Sequence, residues 1–415
     1  MNVDIRANIN VNNYGIINTE NNINNNININ TDINENDDTN DNNTDNNIED
    51  HAEFHRKNCH KYNYIPTNLP ATRRIIALGD IHGDYKLCIK LLKIAKVIDE
   101  DLNWIGGDTI VVQVGDQIDR CRPYNGNTCN MKDTTVDDEN SDIRILKYFT
   151  ALDKMAQKNI PPGKVISLLG NHELLNTQGY FNYVSYKGIK KFNEYIDNEK
   201  PQLVFQSGEE ARKYAFRPGN KYGKFLGCSR LGAVIIGSNL FVHAGLIDHF
   251  INEMGIEKSG DLDDINLKIK KWLLGIINQE SIEKIISGDE NYYSMFWNRI
   301  LGKLPPNIKN TDKRCSDNIT KVLKIFKINS MIIGHTPQSF FSNDKINGTC
   351  SNQVWRIDNG SSKAFDIFDD VYITSKKEYT DEARRPQVLE IINDNEFNVL
   401  FDTNDDKKYK KRYKS

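Results

Sequence analysis

The chain has 415 residues, 38% of them hydrophobic and 27% charged, with a formal net charge of -3. No run approaches the eighteen or so consecutive apolar residues that a membrane helix needs, and MNVDIRANIN lacks the basic-then-apolar order of a secretory signal. The seven cysteines are odd in number and include no Cys-x-x-Cys pair, so they do not read as a disulfide framework. Reduced thiols and an intracellular, cytoplasmic setting are therefore expected, with the nucleus left open and only Cys121 and Cys129 near enough in sequence to bridge.

Residues 1–60 come first, as an acidic tail and linker. The first fifty positions hold twenty Asn and ten acidic residues against one Arg. So little apolar surface cannot offset the entropy of ordering, and disorder is expected there. His51, His55, Cys59 and His60 fall near helical spacing, but without a fourth ligand at a fitting distance they do not read as a zinc site.

From Arg73 the pattern changes to apolar runs with turn punctuation. Residues 75–78, 110–114, 165–169, 240–242 and 331–333 are Ile- and Val-rich runs that read as buried strands. Helical patterns follow the first three, at 86–98, 142–158 and 187–198. The ladder at Trp272, Leu273, Ile276 and Ile277 is apolar at helical spacing and reads as core packing in a helical insert at about 251–290. Further strands are expected at 353–357, 388–392 and 397–401, giving one α/β domain from 73 to about 402. The polar stretch 122–141 reads equally as a rim over a site or as a passive surface loop. Residues 403–415 form a basic tail with six Lys and Arg between Lys407 and Lys414. Such a tail suits weak contact with nucleic acid or another acidic partner, or stays solvated.

Each of the five central runs ends in a turn rich in metal-type ligands. The turns read Gly79-Asp80-Ile81-His82-Gly83-Asp84, Gly115-Asp116-Gln117-Ile118-Asp119-Arg120, Gly170-Asn171-His172-Glu173, His243-Ala244-Gly245 and Gly334-His335-Thr336. Asp and His two residues apart on an extended turn offer an oxygen and a nitrogen to one ion. Strand ends are where α/β sheets place ligands. Four of the eight histidines stand just beyond predicted strands, which core packing alone does not explain.

With these residues in hand, the motifs GDIHGD, GDQIDR, GNHE, HAG and GHT resemble the signature set of the calcineurin-like metallophosphoesterases, in the phosphoprotein phosphatase branch. LLGNHELLN, FVHAGL, FWNR, IIGHTPQ and WRIDNG are similar to the bacterial-type Shewanella-like phosphatases. The resemblance implies an α/β fold with a two-sheet β-sandwich core flanked by helices, and a pair of metal ions, either Mn or Fe with Zn. It implies that Asp80 and His82 bind the first metal, that Asp116 bridges, and that Asn171, His243 and His335 bind the second. It further implies that paired ions roughly 3.5–4 Å apart activate a water for in-line attack on phosphorus. In that scheme Arg120 and Arg299 grip the phosphoryl oxygens, His172 protonates the leaving oxygen and Asp119 orients His172. The implied reaction removes phosphate from Ser, Thr or Tyr of a phosphoprotein. HAG and GHTPQ also suit a hydrolase of diadenosine polyphosphates, and a pseudophosphatase scaffold is the non-enzymatic alternative. Cys121 stands where the family has Gly.

Overall fold

The computed structural model describes residues 50–289, 293–341, 345–368 and 384–402. The expected acidic tail up to residue 49 and the basic tail from residue 403 lie outside the described residues. Packed structure begins earlier than Arg73. Helix α1 (His51–Asn58) is capped by Asp50, whose carboxylate accepts from the Ala52 and Glu53 N–H groups. It buries Phe54 and His55, so residues 51–60 are part of the folded body and not a loose linker. His55 donates from Nε2 to Tyr62 O, and its Nδ1 accepts from Lys270.

The expected strands form within a residue or two of their runs: β2 (Arg74–Leu78), β3 (Ile110–Gln113), β4 (Lys164–Ser167), β6 (Asn239–Val242), β7 (Ser330–Ile333), β9 (Val354–Arg356), β10 (Gln387–Ile392) and β11 (Glu396–Phe401). Three more were not legible as separate runs: β1 (Asn68–Leu69), β5 (Ala233–Ile236) and β8 (Asn347–Thr349). They join two sheets, in the orders β11-β10-β2-β3-β4 and β1-β5-β6-β7-β9-β8. Strands β2, β3 and β4 are mutually parallel, as are β6, β7 and β9. Their carboxyl ends therefore share an edge within each sheet.

Side chains alternate between the two faces of each strand, and that alternation sets the layers. Ile75, Ala77, Val112 and Ile166 meet Val234, Ile236, Phe241 and Ile332 between the sheets. Ile76, Leu78, Val111 and Val165 face outward onto α2 (Tyr85–Ile94) and α3 (Asp142–Ala156), through Leu91, Ile145 and Phe149. On the other side Ile235, Leu240, Val242 and Met331 pack against α7 (Lys221–Ser229), α9 (Asp261–Leu273) and α11 (Lys313–Phe326), through Leu226, Trp272 and Val322. The result is a helix–sheet–sheet–helix sandwich.

The cysteine expectation is overturned. Cys59–Cys228, Cys121–Cys129 and Cys315–Cys350 are disulfide-bonded, and Cys88 is a buried thiol. Cys59 and Cys228 stand 169 residues apart in sequence. Folding of α1 onto the end of α7 brings them together, which no spacing rule could reveal.

Candidate metal centre

The five ligand-rich turns converge at the carboxyl ends of β2, β3, β4, β6 and β7, where the two sheets meet. Asp80, His82, Asp116, Asn171, His172, His243 and His335 are all buried. Nε2 of His82 lies 3.7 Å from Asp80 Oδ2 and 3.8 Å from Asp116 Oδ2. His243 Nε2 lies 3.3 Å from Asp116 Oδ2 and 2.9 Å from Asn171 Oδ1, and His335 Nδ1 is 3.0 Å from that same Asn171 oxygen. Ligand atoms of His82, Asp116 and His172 lie within 4.8 Å of one another, as do those of Asp116, His243 and His335. Asp116 is common to both groups.

Backbone carbonyls fix which imidazole nitrogen faces inward. His243 donates from Nδ1 to Val114 O at 2.9 Å, and His335 donates from Nε2 to Trp297 O at 3.0 Å. His82 Nδ1 faces Ile118 O at 3.4 Å. The opposite nitrogens then aim lone pairs at carboxylate and amide oxygens. Two imidazole lone pairs converging on the Asn171 oxygen repel each other unless a cation lies between them, so this donor set fits metal ions. Electrostatics agree. Burial and the Arg122 charge hold His82 well below its ordinary pKa, and burial and Arg299 do the same for His335. Both imidazoles are therefore neutral, as ligation requires. Burial, with Asp358 and Asp116 alongside, pushes the Asp80 carboxyl well up. Burial also opposes ionisation of Asp116, but His243 and His172 overcome it and hold that carboxyl well below the usual range.

The local backbone is strained where the ligands sit. His82, Asp116, Asp119 and His335 all have φ between 47° and 72°, a left-handed region that non-glycine residues rarely adopt. Missing Cβ atoms make room as well. A Cβ on Gly170 would lie 2.2 Å from Asp116 Oδ1, and one on Gly334 would lie 2.3 Å from Asp80 Oδ1.

Glu173 is the brace that sequence reading left without a role. It occupies the third position of α4 (Asn171–Gln178) and accepts from the Gly170, Asp116, Gln117 and Ile118 N–H groups. One carboxylate thereby clamps the β3 turn onto the β4 turn. The Gly-x-x-Glu spacing at a helix start is a capping-box signal that could have found it. Asp358 is a second missed residue. It is buried beside this cluster, its Oδ1 accepts from Gly360 N–H, and its Oδ2 has no hydrogen-bond partner. Burial pushes its carboxyl up to about 6.

His172 donates from Nδ1 to Asp119 Oδ2 at 2.8 Å, and its Nε2 lies 3.8 Å from Asp116 Oδ2. Arg299 bonds through Nη1 to His335 O, and although burial lowers its pKa, Asp358, Asp116 and Asp80 counteract. Arg120 is engaged differently from the expectation that it grips phosphate. Its Nη1 lies 3.2 Å from Asp84 Oδ2, and its Nη2 donates to the carbonyls of Val136 and Asp137. It therefore ties the 122–141 insertion down, together with Ser141, whose hydroxyl donates to Gly83 O.

Comparison with known proteins agrees with this geometry. A family model described as calcineurin-like phosphoesterase matches residues 73–339. The chain is 35% identical over 263 residues to an uncharacterized protein of Acanthamoeba polyphaga mimivirus, covering 61% of this chain and 97% of that one. It is 28% identical over 327 residues to Shewanella-like protein phosphatase 2 of Arabidopsis thaliana, covering 72% of this chain and 74% of the relative. A cold-active protein-tyrosine phosphatase of a psychrophilic Shewanella shares the fold with a TM-score of 0.51 at 20% identity, over 81% of this chain and 82% of that one.

Proposed function

Since this chain belongs to the calcineurin-like phosphoesterase family, we propose that it is a protein phosphatase using two metal ions to hydrolyse phosphate esters of Ser, Thr or Tyr. The observation carrying this reading is the sharing of Asp116 between two adjacent groups of inward-facing ligand atoms. Asp80 and His82 would hold one ion, Asn171, His243 and His335 the other, with Asp116 between them. Manganese, or iron with zinc, suits such mixed oxygen and imidazole ligands. Bound there, the ions supply a water acidic enough to be a nucleophile near neutral pH and neutralise developing charge.

The remaining work falls to side chains. His172, with one nitrogen donated to Asp119, would carry the proton delivered to the leaving oxygen from its other nitrogen. Asp119 is the positioning residue that fixes the orientation of the ring. Arg299 would hold phosphoryl oxygens from the His335 side. The name of the Arabidopsis relative supports a protein substrate. No helix among the described residues is long and apolar enough to cross a membrane. The three disulfides suit an oxidising compartment better than the cytosol expected from sequence.

The test is a side-by-side assay of manganese-loaded protein on phosphoserine, phosphothreonine and phosphotyrosine peptides and on diadenosine tetraphosphate. Hydrolysis of a phosphopeptide is expected. A preference for the dinucleotide of about a hundredfold in kcat/KM, or no turnover of any ester, overturns the reading.

A further inference from the structure

A further strand end belongs to the metal centre. β9 runs parallel to β7, with Ile333 paired to Arg356, so its carboxyl end joins the same edge of the sheet. Asp80 stands two residues beyond β2, His335 two beyond β7, and Asp358 two beyond β9. The turn after β9 is packed directly on the ligand turns. A Cβ on Gly79 would lie 2.4 Å from Ile357 O and 3.2 Å from Asp358 Cα, so only glycine lets the β2 turn come this close. The Ile357 N–H donates to Ile333 O, and the Gln338 N–H donates to Asp358 O. From the other side Arg384 Nε donates to Gly360 O, and Asn359 Nδ2 donates to Arg385 O, both at 2.6 Å. The position of Asp358 is therefore fixed from both directions.

Its carboxylate is only half used. Oδ1 accepts from the Gly360 N–H at 2.9 Å, while Oδ2 is buried without a partner. The residue is 3% exposed and enters no ion pair among the described residues. A buried carboxylate oxygen left this way costs free energy, and native structures rarely leave that cost uncompensated. Its surroundings point to what compensates it. Among the fixed charges acting on Asp80, that of Asp358 is the largest. Asp80, Asp116, Glu173 and Asp358 are all buried here, and none of them is ion-paired to Arg or Lys among the described residues. Such a collection of negative charge calls for cations from outside the chain.

We propose that Asp358 is a further positioning residue of the metal centre, whose free oxygen takes a hydrogen bond from the hydration shell of the ion held by Asp80 and His82. The inference rests on the two-metal reading above and adds a residue to it. Asp358 lies outside both groups of ligand atoms that come within 4.8 Å of one another, so it acts through water and not as a direct ligand. Carboxylates placed just outside a ligand set strengthen the hold on the ion. The competing role is to orient Arg299, on which the Asp358 charge is also the largest that acts. The two roles differ in what they bind, metal or phosphate.

The probes are manganese, titrated by calorimetry into the metal-free full chain, and inorganic phosphate, titrated into the loaded protein. Asp358→Asn keeps an oxygen for the Gly360 N–H and removes the charge. It is expected to weaken one of the two manganese-binding steps about 10- to 100-fold and to leave the other unchanged. The metal-free variant should unfold at or above the wild-type temperature, because an unpartnered buried charge has been removed. Wild-type manganese affinity at both steps overturns the inference. So does unchanged manganese binding with weakened phosphate binding, which gives the carboxylate to Arg299. A lower metal-free midpoint makes Asp358 a brace of its own turn and overturns the inference as well. If the wild type binds two manganese ions but cleaves no ester, the phosphatase reading falls while the two titrations still decide the role of Asp358. A wild type that binds no manganese overturns both.

Discussion

Asp119 is held on both oxygens: Oδ2 accepts from His172 Nδ1 at 2.8 Å, and Oδ1 accepts from Asn176 Nδ2 at 2.9 Å. Asn176 is in turn fixed by Arg212, whose Nε donates to its Oδ1 at 2.8 Å. The imidazole therefore has one orientation, with Nε2 aimed into the centre.

Asp119→Asn keeps the shape of this dyad but replaces the carboxylate that accepts from His172 Nδ1 with an amide. We expect kcat to fall about 10²- to 10⁴-fold while both metals stay bound. Steady-state kinetics with elemental analysis of the purified variant provide the check. Loss of metal along with turnover would place His172 among the ligands instead.

Glu173 acts one step away from the ions, by clamping two ligand turns together. Glu173→Gln replaces an acceptor with a donor facing backbone N–H groups. A fall of about 10- to 100-fold in metal affinity is expected, the usual cost of losing a group that orients ligands. Titration of apo-protein with manganese measures it, and wild-type affinity would contradict the clamp.

The Cys59–Cys228 bond ties α1 to α7 across 169 residues of sequence. Replacing both cysteines with Ser should lower stability by about 2–5 kcal/mol with little change in KM, since α1 lies away from the metal centre. Guanidinium unfolding of the two proteins compares them. Equal midpoints would show that α1 docks without the bond.

Lys270 gives a pH dependence. Burial pushes its ammonium down to about 8 from an ordinary 10.5, beside a His55 that burial and the Lys270 charge keep neutral. Between those two values the folded protein holds fewer protons at this site than the unfolded chain does, so stability rises with pH. From pH 7 to pH 9.5 the wild type should gain about 2 kcal/mol that Lys270→Met does not, at 1.36 kcal/mol per pKa unit. Denaturant midpoints at both pH values test this, and parallel pH profiles of the two proteins would refute it.

Sequence alone determined the strand runs and the identity of the side chains at their ends. Short Ile- and Val-rich runs have few alternatives to buried strands, and ligand chemistry is written in the residue type. Asp80, His82, Asp116, Asn171, His172, His243 and His335 were therefore legible as candidate ligands before any contact was known. Only the tertiary structure decided how Cys59 finds Cys228, that α1 belongs to the body, and that Arg120 turns to Asp84 while Arg122 lies between Tyr183 and Phe365. The physical reason is range. Strand formation and ligand type are local properties, whereas the partner of Arg120 and the partner of Cys59 are set by groups outside their own element, 169 positions away for Cys59. Residues 122 and 365 meet only after both sheets have packed.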